Sequence, residues 1–229
     1  MRILCVSDVH GDLEMLQALL QLAGPVDVAL LAGDLTNFGT ESDAEQVVML
    51  ADRYADRVFA VAGNCDSAKI DRHLSRLGVS LSAEGIAVGE VGFYGVSATP
   101  PWLGTMYEVS EEEIEAALKA GYERLAEQVG DSPRRQEPLR WHVLLAHAPP
   151  YGLKVDRVEG RTHVGSRALL AHIQRHKPAV VFCGHIHEAR GIDRVGPTAV
   201  VNCGPAFRGY YVLAKLENDV QINLLSAGR

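Results

Sequence analysis

Five short apolar runs in this chain each end at side chains that can hold a metal ion, and a fold that brings those five ends to one edge would assemble a metal site. The runs are residues 3–6 before Asp8 and His10, 28–31 before Asp34, 58–61 before Asn64, 143–145 before His147, and 180–182 before His185 and His187. Each is aliphatic or β-branched and bounded by Gly or a polar residue, the signature of a strand buried on both faces. In open α/β sheets the loops after the carboxyl ends of strands form the ligand crevice, so these side chains are expected together there. The bland alternative is a set of unrelated polar caps on strands.

The first half alternates strand and helix. Leu13, Leu16, Leu19 and Leu20 share one helical face behind Asp12, which is placed to cap it. Further helices are expected over 41–54 and 67–77, then a hairpin over 86–96 and a loop over 98–104. A capping box of Ser110 and Glu113 opens a helix over 110–129, whose stripe of Ile114, Leu118, Tyr122, Leu125 and Val129 reads as core or partner contact. Residues 131–140 are polar and contain Pro, the segment where flexibility is expected. A helix over 166–176 and strands over 191–195, 198–202, 210–216 and 220–224 complete the pattern.

With 229 residues, 47% of them hydrophobic, the chain can bury one good core, and nothing marks a second domain, so 1–229 is read as one domain. The formal net charge of -7 and the lack of a long Lys/Arg run argue against nucleic-acid polymers as partners. Bound divalent cations would offset part of that acidity. The first apolar run leaves no room for a signal peptide and no stretch approaches bilayer-spanning length, so a cytoplasmic protein without membrane contact is expected. Cys5, Cys65, Cys183 and Cys203 have no C-x-x-C spacing and read as reduced thiols.

Asp, Asn and His together form mixed N/O sites that suit Zn, Mn, Fe or Ni better than Ca or Mg. A carboxylate such as Asp34 can bridge two cations. Two metals about 3.5 to 4 Å apart generate a hydroxide and clamp the oxygens of an in-line displacement at phosphorus, so phosphoester hydrolysis is the natural chemistry.

The ordered set Asp8-x-His10, Gly33-Asp34, Gly63-Asn64, His147 and Gly184-His185-x-His187 resembles the calcineurin-like metallophosphoesterase superfamily over nearly the whole chain. The resemblance implies an α/β fold, a four-layer α/β/β/α sandwich of two mixed sheets. It also implies one metal on Asp8, His10, Asp34 and His187 and a second on Asp34, Asn64, His147 and His185. The stretches 184–191 and 201–205 look like the compact bacterial and archaeal branch of that family.

Many members carry His directly after the metal-binding Asn; here the position is Cys65, within a Gly63-Asn64-Cys65-Asp66 block similar to that of a subgroup of small phosphodiesterases. A thiol is a weak donor and a poor substitute for imidazole at neutral pH, so small or cyclic diesters with good leaving groups are the expected substrates. Cys65 is otherwise a small residue filling a crowded turn. Asp66 either orients ligands or caps the next helix. Asn64, Cys65 and His163 are the candidates for contact with the reacting group, His163 because it precedes a helix N-terminus that could face phosphate. Lys154, Arg157 and Arg161 share its loop, where they screen anionic substrate or are merely solvated. Tyr151 and Trp102 stack on an aryl group or pack in the core. His73, His142, His172 and His176 read as surface residues. A phosphomonoesterase or protein phosphatase, a nuclease and a non-catalytic scaffold of the same fold are the rival readings. Oligomeric state is open, a homo-oligomer included.

Overall fold

Strands buried on both faces need a layer on each side, and two sheets stacked between helices provide it. The computed structural model describes residues 1–130, 139–158 and 162–228, without the side chains of 129 and 130. The expected flexible segment at 131–140 therefore lies largely outside the described residues, as does Arg161.

In chain order the elements are β1 (Arg2–Val6), α1 (Leu13–Ala23), β2 (Val26–Ala32), α2 (Glu41–Asp52), β3 (Ala55–Val61) and α3 (Ala68–Arg76). The hairpin β4 (Gly85–Val88) and β5 (Val91–Val96) follows, then α4 (Glu111–Gly130), β6 (Trp141–Ala146), and the ribbon β7 (Arg157–Val158) and β8 (Thr162–His163). The chain closes with α5 (Arg167–His176), β9 (Val180–Cys183), β10 (Gly191–Val195), β11 (Thr198–Asn202), β12 (Tyr210–Leu216) and β13 (Val220–Ser226).

One sheet has the order β13-β12-β1-β2-β3 and the other β10-β11-β9-β6-β5-β4. Both are mixed: β1, β2 and β3 run parallel beside antiparallel β12 and β13, while β11, β9, β6 and β5 run parallel between antiparallel β10 and β4. Alternation along each strand then feeds different layers. Ile3, Val28, Phe59, Phe93, Val143 and Phe182 meet between the sheets. Leu4 and Leu31 face Leu16, Leu19, Val47 and Ile70 on one outer side, and Leu144 and Val181 face Ile114, Leu118 and Ile173 on the other. Each such buried side chain contributes about 1.5–3 kcal/mol. The result is the expected four-layer α/β/β/α architecture.

The helix starts follow local chemistry. Asp12 caps α1 by accepting from the Met15 amide at 2.9 Å, Thr40 and Asp43 form a reciprocal box on α2, and Ser110 with Glu113 does so on α4. Ser67, not Asp66, caps α3, accepting from the Ile70 amide at 3.3 Å. Ile114, Leu118, Tyr122 and Leu125 of the α4 stripe pack on the second sheet. One correction concerns the outlying histidines: His172 is buried, and it packs with His142, His176, Tyr94 and Tyr122 between α4, α5 and the sheet. The four cysteines are free and buried. Among the described residues, no helix is long and apolar enough to cross a membrane.

Candidate metal centre

The five runs end at one edge of the seam between the sheets. Asp8, Asp34 and Asn64 follow β1, β2 and β3 of the first sheet; His147, His185 and His187 follow β6 and β9 of the second. To aim side chains sideways at the end of a strand the backbone must turn sharply, and four of these residues do so at positive φ: Asp8 (56°), His10 (49°), Asp34 (50°) and His185 (68°). Non-glycine residues rarely adopt this region, and such strain persists where surrounding structure over-determines it. Here the loops are laced together. The Asp8 amide donates to the Gly33 carbonyl at 3.0 Å, His10 to Asp34 at 2.9 Å, and Gly184 to His147 at 3.0 Å.

The glycines before the ligand positions leave space for the ligands themselves. A Cβ on Gly33 would collide with the His147 ring, and one on Gly63 with the Asp34 carboxylate and amide.

Asp8, Asp34, Asn64 and His147 are buried, whereas His10 and His187 are partly open to solvent. His187 Nε2 lies 3.2 Å from Asp8 Oδ1. His10 Nε2 lies 3.7 Å from Asp34 Oδ2, and His147 Nε2 lies 3.5 Å from Asp34 Oδ1 and 2.9 Å from Asn64 Oδ1. Donor atoms of Asp8, His10 and His187, of Asp8, Asp34 and His147, and of His10, Asp34 and Cys65 each converge within 4.8 Å, groups that could hold a metal ion. His185 stands beside His147 with ring centroids 5.1 Å apart, and its amide donates to Asp8 Oδ2 at 3.1 Å.

The electrostatics favour a cation at the centre. Asp8 and Asp34 are buried carboxylates whose side chains meet only imidazoles as ion-pair partners among the described residues. Burial opposes their ionisation, yet the facing histidines hold both below the usual carboxylate range. Burial likewise works to lower the His147 pKa, but the Asp34 charge outweighs it and holds it at about 9. The same negative potential that raises the proton affinity of His147 would favour a divalent cation in the proton's place, and the N/O donor set fits first-row divalent cations. Burial and the charge of His147 push His185 down to about 4, leaving its lone pair free for a metal. The Ala32 carbonyl, 2.8 Å from His147 Nδ1, fixes the proton there and presents Nε2 inward.

Asp66 ties the ligand-bearing loops together. Its carboxylate accepts from the amides of Leu35 (3.1 Å), Thr36 (2.9 Å) and Gly63 (2.9 Å) and from the Thr36 hydroxyl (2.9 Å), locking the loops after β2 and β3 to each other. Burial, then the Asp34 charge, raises it to about 6. Cys65 adjoins the cluster: its amide donates to Asp34 Oδ1 at 2.7 Å and its Sγ lies 3.4 Å from Asn64 Nδ2.

His163 takes part in none of these contacts. Its Nδ1 pairs with the buried carboxylate of Asp156 at 2.6 Å in the short β7–β8 ribbon, where Arg157 Nε donates to its Nε2 at 3.4 Å. Tyr151 is covered by the Arg167 guanidinium, 3.6 Å from its ring centre. Trp102 lines a cleft beside Asn64, His185 and His187. Sequence reasoning missed Phe207, whose ring stands edge-on to both His10 and His187 at 5.4 and 5.3 Å. Phe207 carries no local signal. Asn202 lies in the 201–205 stretch singled out in the sequence but was given no role there; its amide donates to the Val155 and Ile186 carbonyls and so anchors the His185–His187 loop.

The calcineurin-like phosphoesterase profile matches residues 1–189. An uncharacterised protein of Methanocaldococcus jannaschii is 31% identical over 231 residues, covering 97% of this chain and 96% of its own. A crystal structure from Thermus thermophilus superposes with a TM-score of 0.73 at 20% identity over 99% of both chains. A dimetal phosphatase from Danio rerio superposes with a TM-score of 0.63 at 12% identity, covering 100% of this chain and 96% of that one. At these identities the structural likeness speaks for the fold alone.

Proposed function

This chain belongs to the calcineurin-like phosphoesterase family, and from that premise we propose that it is a dinuclear metal-dependent phosphodiesterase acting on small or cyclic diesters. Asp8, His10, Asp34 and His187 would hold one ion, and Asp34, Asn64, His147 and His185 would hold the other. The observation that carries this reading is the division of the Asp34 carboxylate. One oxygen faces His10 at 3.7 Å and the other faces His147 at 3.5 Å, as a bridging ligand must. Bound divalent cations supply a nucleophile at neutral pH and neutralise charge on the phosphoryl oxygens.

The chain's own residues do the rest. The Ala32 carbonyl keeps the His147 proton on Nδ1, and Asp66 holds the Asp34 and Asn64 loops in register, so the donor atoms are set before substrate arrives. Substrate enters from the side left open by His10 and His187. Burial, with the Asp34 charge second, pushes the Cys65 thiol well above its ordinary range. A thiol that holds its proton so firmly delivers none to a departing oxygen. Esters whose leaving group departs without a proton are therefore favoured, and this selects activated diesters over unactivated monoesters. The substrate is small and reached in the cytoplasm, and manganese is the first ion to test.

The test is hydrolysis of bis(4-nitrophenyl) phosphate beside 4-nitrophenyl phosphate on metal-stripped protein resupplied with Mn, Ni, Zn or Mg. Diester turnover should return with metal and be lost in Asp34→Asn. A monoester hydrolysed faster than the diester would move the assignment to phosphomonoesterase, and no turnover with any metal would remove the enzymatic reading.

A further inference from the structure

We propose that the cleft beside the cluster seats an apolar or aryl group of the phosphoester, with Trp102 setting that preference; this rests on the phosphoesterase reading above. The cleft has a volume of about 340 Å³, and Asn64, His185 and His187 form one end of it. An ester bound at those three residues with its organic group turned into the cleft would lay that group against the remaining wall. That wall is Trp102, Leu103, Met106, Val158 and Ile186, and it begins in direct contact with the cluster, since Met106 Sδ lies 3.0 Å from Asn64 Nδ2.

The loop that carries the wall is fastened at both ends. The Glu108 carboxylate accepts from the amides of Trp102, Leu103 and Gly104 at 3.1, 3.0 and 2.9 Å. The Val109 amide donates to Thr99 at 2.9 Å, and the Tyr107 amide to the Asn64 carbonyl at 3.1 Å. So braced, the loop leaves Trp102 50% and Leu103 60% exposed. Large apolar side chains pinned open beside a polar site are what a pocket for an apolar group requires.

Charge narrows the class further. Among the described lining residues the charged side chains other than histidine are Glu108 and Glu188, with no Lys or Arg. A second phosphate would find no lysine or arginine among the described lining residues, so a single phosphoryl group is the better fit. The volume lies at the small end of the range of about 300–1,000 Å³ for ligand pockets, which suits one ring or a short alkyl chain.

Non-hydrolysable phosphonates separate the organic group from the chemistry. Phenylphosphonate and methylphosphonate are titrated as competitive inhibitors of the manganese-loaded enzyme and, in a Trp141→Phe background, by fluorescence of Trp102. Phenylphosphonate should bind at least tenfold more tightly and quench Trp102. In Trp102→Ala the ratio should fall below threefold, and Trp102→Phe should restore it. Equal affinities in the unaltered enzyme, or a preference that survives Trp102→Ala, would overturn the inference while leaving the phosphoesterase reading intact. Absence of ester hydrolysis with any metal would instead overturn the reading on which it rests.

Discussion

Cys65 stands beside the Asp34 carboxylate with a thiol held protonated by burial and by that neighbouring charge. An imidazole at the same position would titrate nearer neutrality and could donate to a leaving oxygen. Cys65→His is therefore expected to raise kcat for 4-nitrophenyl phosphate by about tenfold or more, a fraction of the roughly 10²–10⁴-fold that a well-positioned general acid contributes. Steady-state rates at matched metal content check this, and an unchanged monoester rate would assign Cys65 to packing alone. The glycines next to the cluster are equally demanding. Gly63→Ala would drive a methyl group into Asp34, so its manganese content after dialysis should fall well below that of the parent protein. These requirements were visible in the sequence as Gly-Asp and Gly-Asn pairs, although the atoms that forbid a side chain were not.

At the scale of elements, α4 and α5 bury a group of rings that the sequence had placed at the surface. His172 Nε2 pairs with the Tyr94 hydroxyl at 3.2 Å, and Tyr122 packs against His142, His172 and His176. Burial, then the charges of His176 and Arg175, lowers His172 to about 4, and burial first lowers His142 and His176 too. In the unfolded chain these imidazoles titrate near 6.5. Their folded values are depressed, so the unfolded state binds more protons between the two limits. The His172 contribution is fully present above about pH 6.5 and is lost as pH falls through about 4, and those of His142 and His176 run in the same direction. Chemical denaturation across that window should show stability dropping with acid, and His172→Gln should flatten the slope; an equal slope would show that other groups dominate. Helical spacing alone could not find this cluster, because His172 and His176 sit one turn apart on a helix whose buried face only the packing of α4 defines.

Across the whole molecule the candidate metal cluster spans two sheets. Its ligand candidates come from β1, β2 and β3 on one side of the seam and from β6 and β9 on the other. Ions that bind only the folded chain stabilise it by about 2.7 kcal/mol at a hundredfold excess over Kd. For a domain of this size that corresponds to roughly 5–10 °C in Tm. Differential scanning of manganese-loaded and chelator-treated protein should show such a gap, and one absent in both the parent and Asp34→Asn would argue against metal bridging of the sheets.

The sequence by itself determined the strands that end at the cluster, the capped helices and the side chains that end each run, because periodicity and local hydrogen bonding act over a few residues. The order of strands within each sheet and the β7–β8 ribbon, where the sequence reads as a loop, came only with the fold. Tertiary structure alone decided which oxygen of Asp34 faces which histidine, the alliance of Asp66 with two loops, the edge-on contact of Phe207, and the pairing that holds His163 with Asp156. Those arrangements join residues far apart in the chain, and only the stacking of the two sheets brings them within reach.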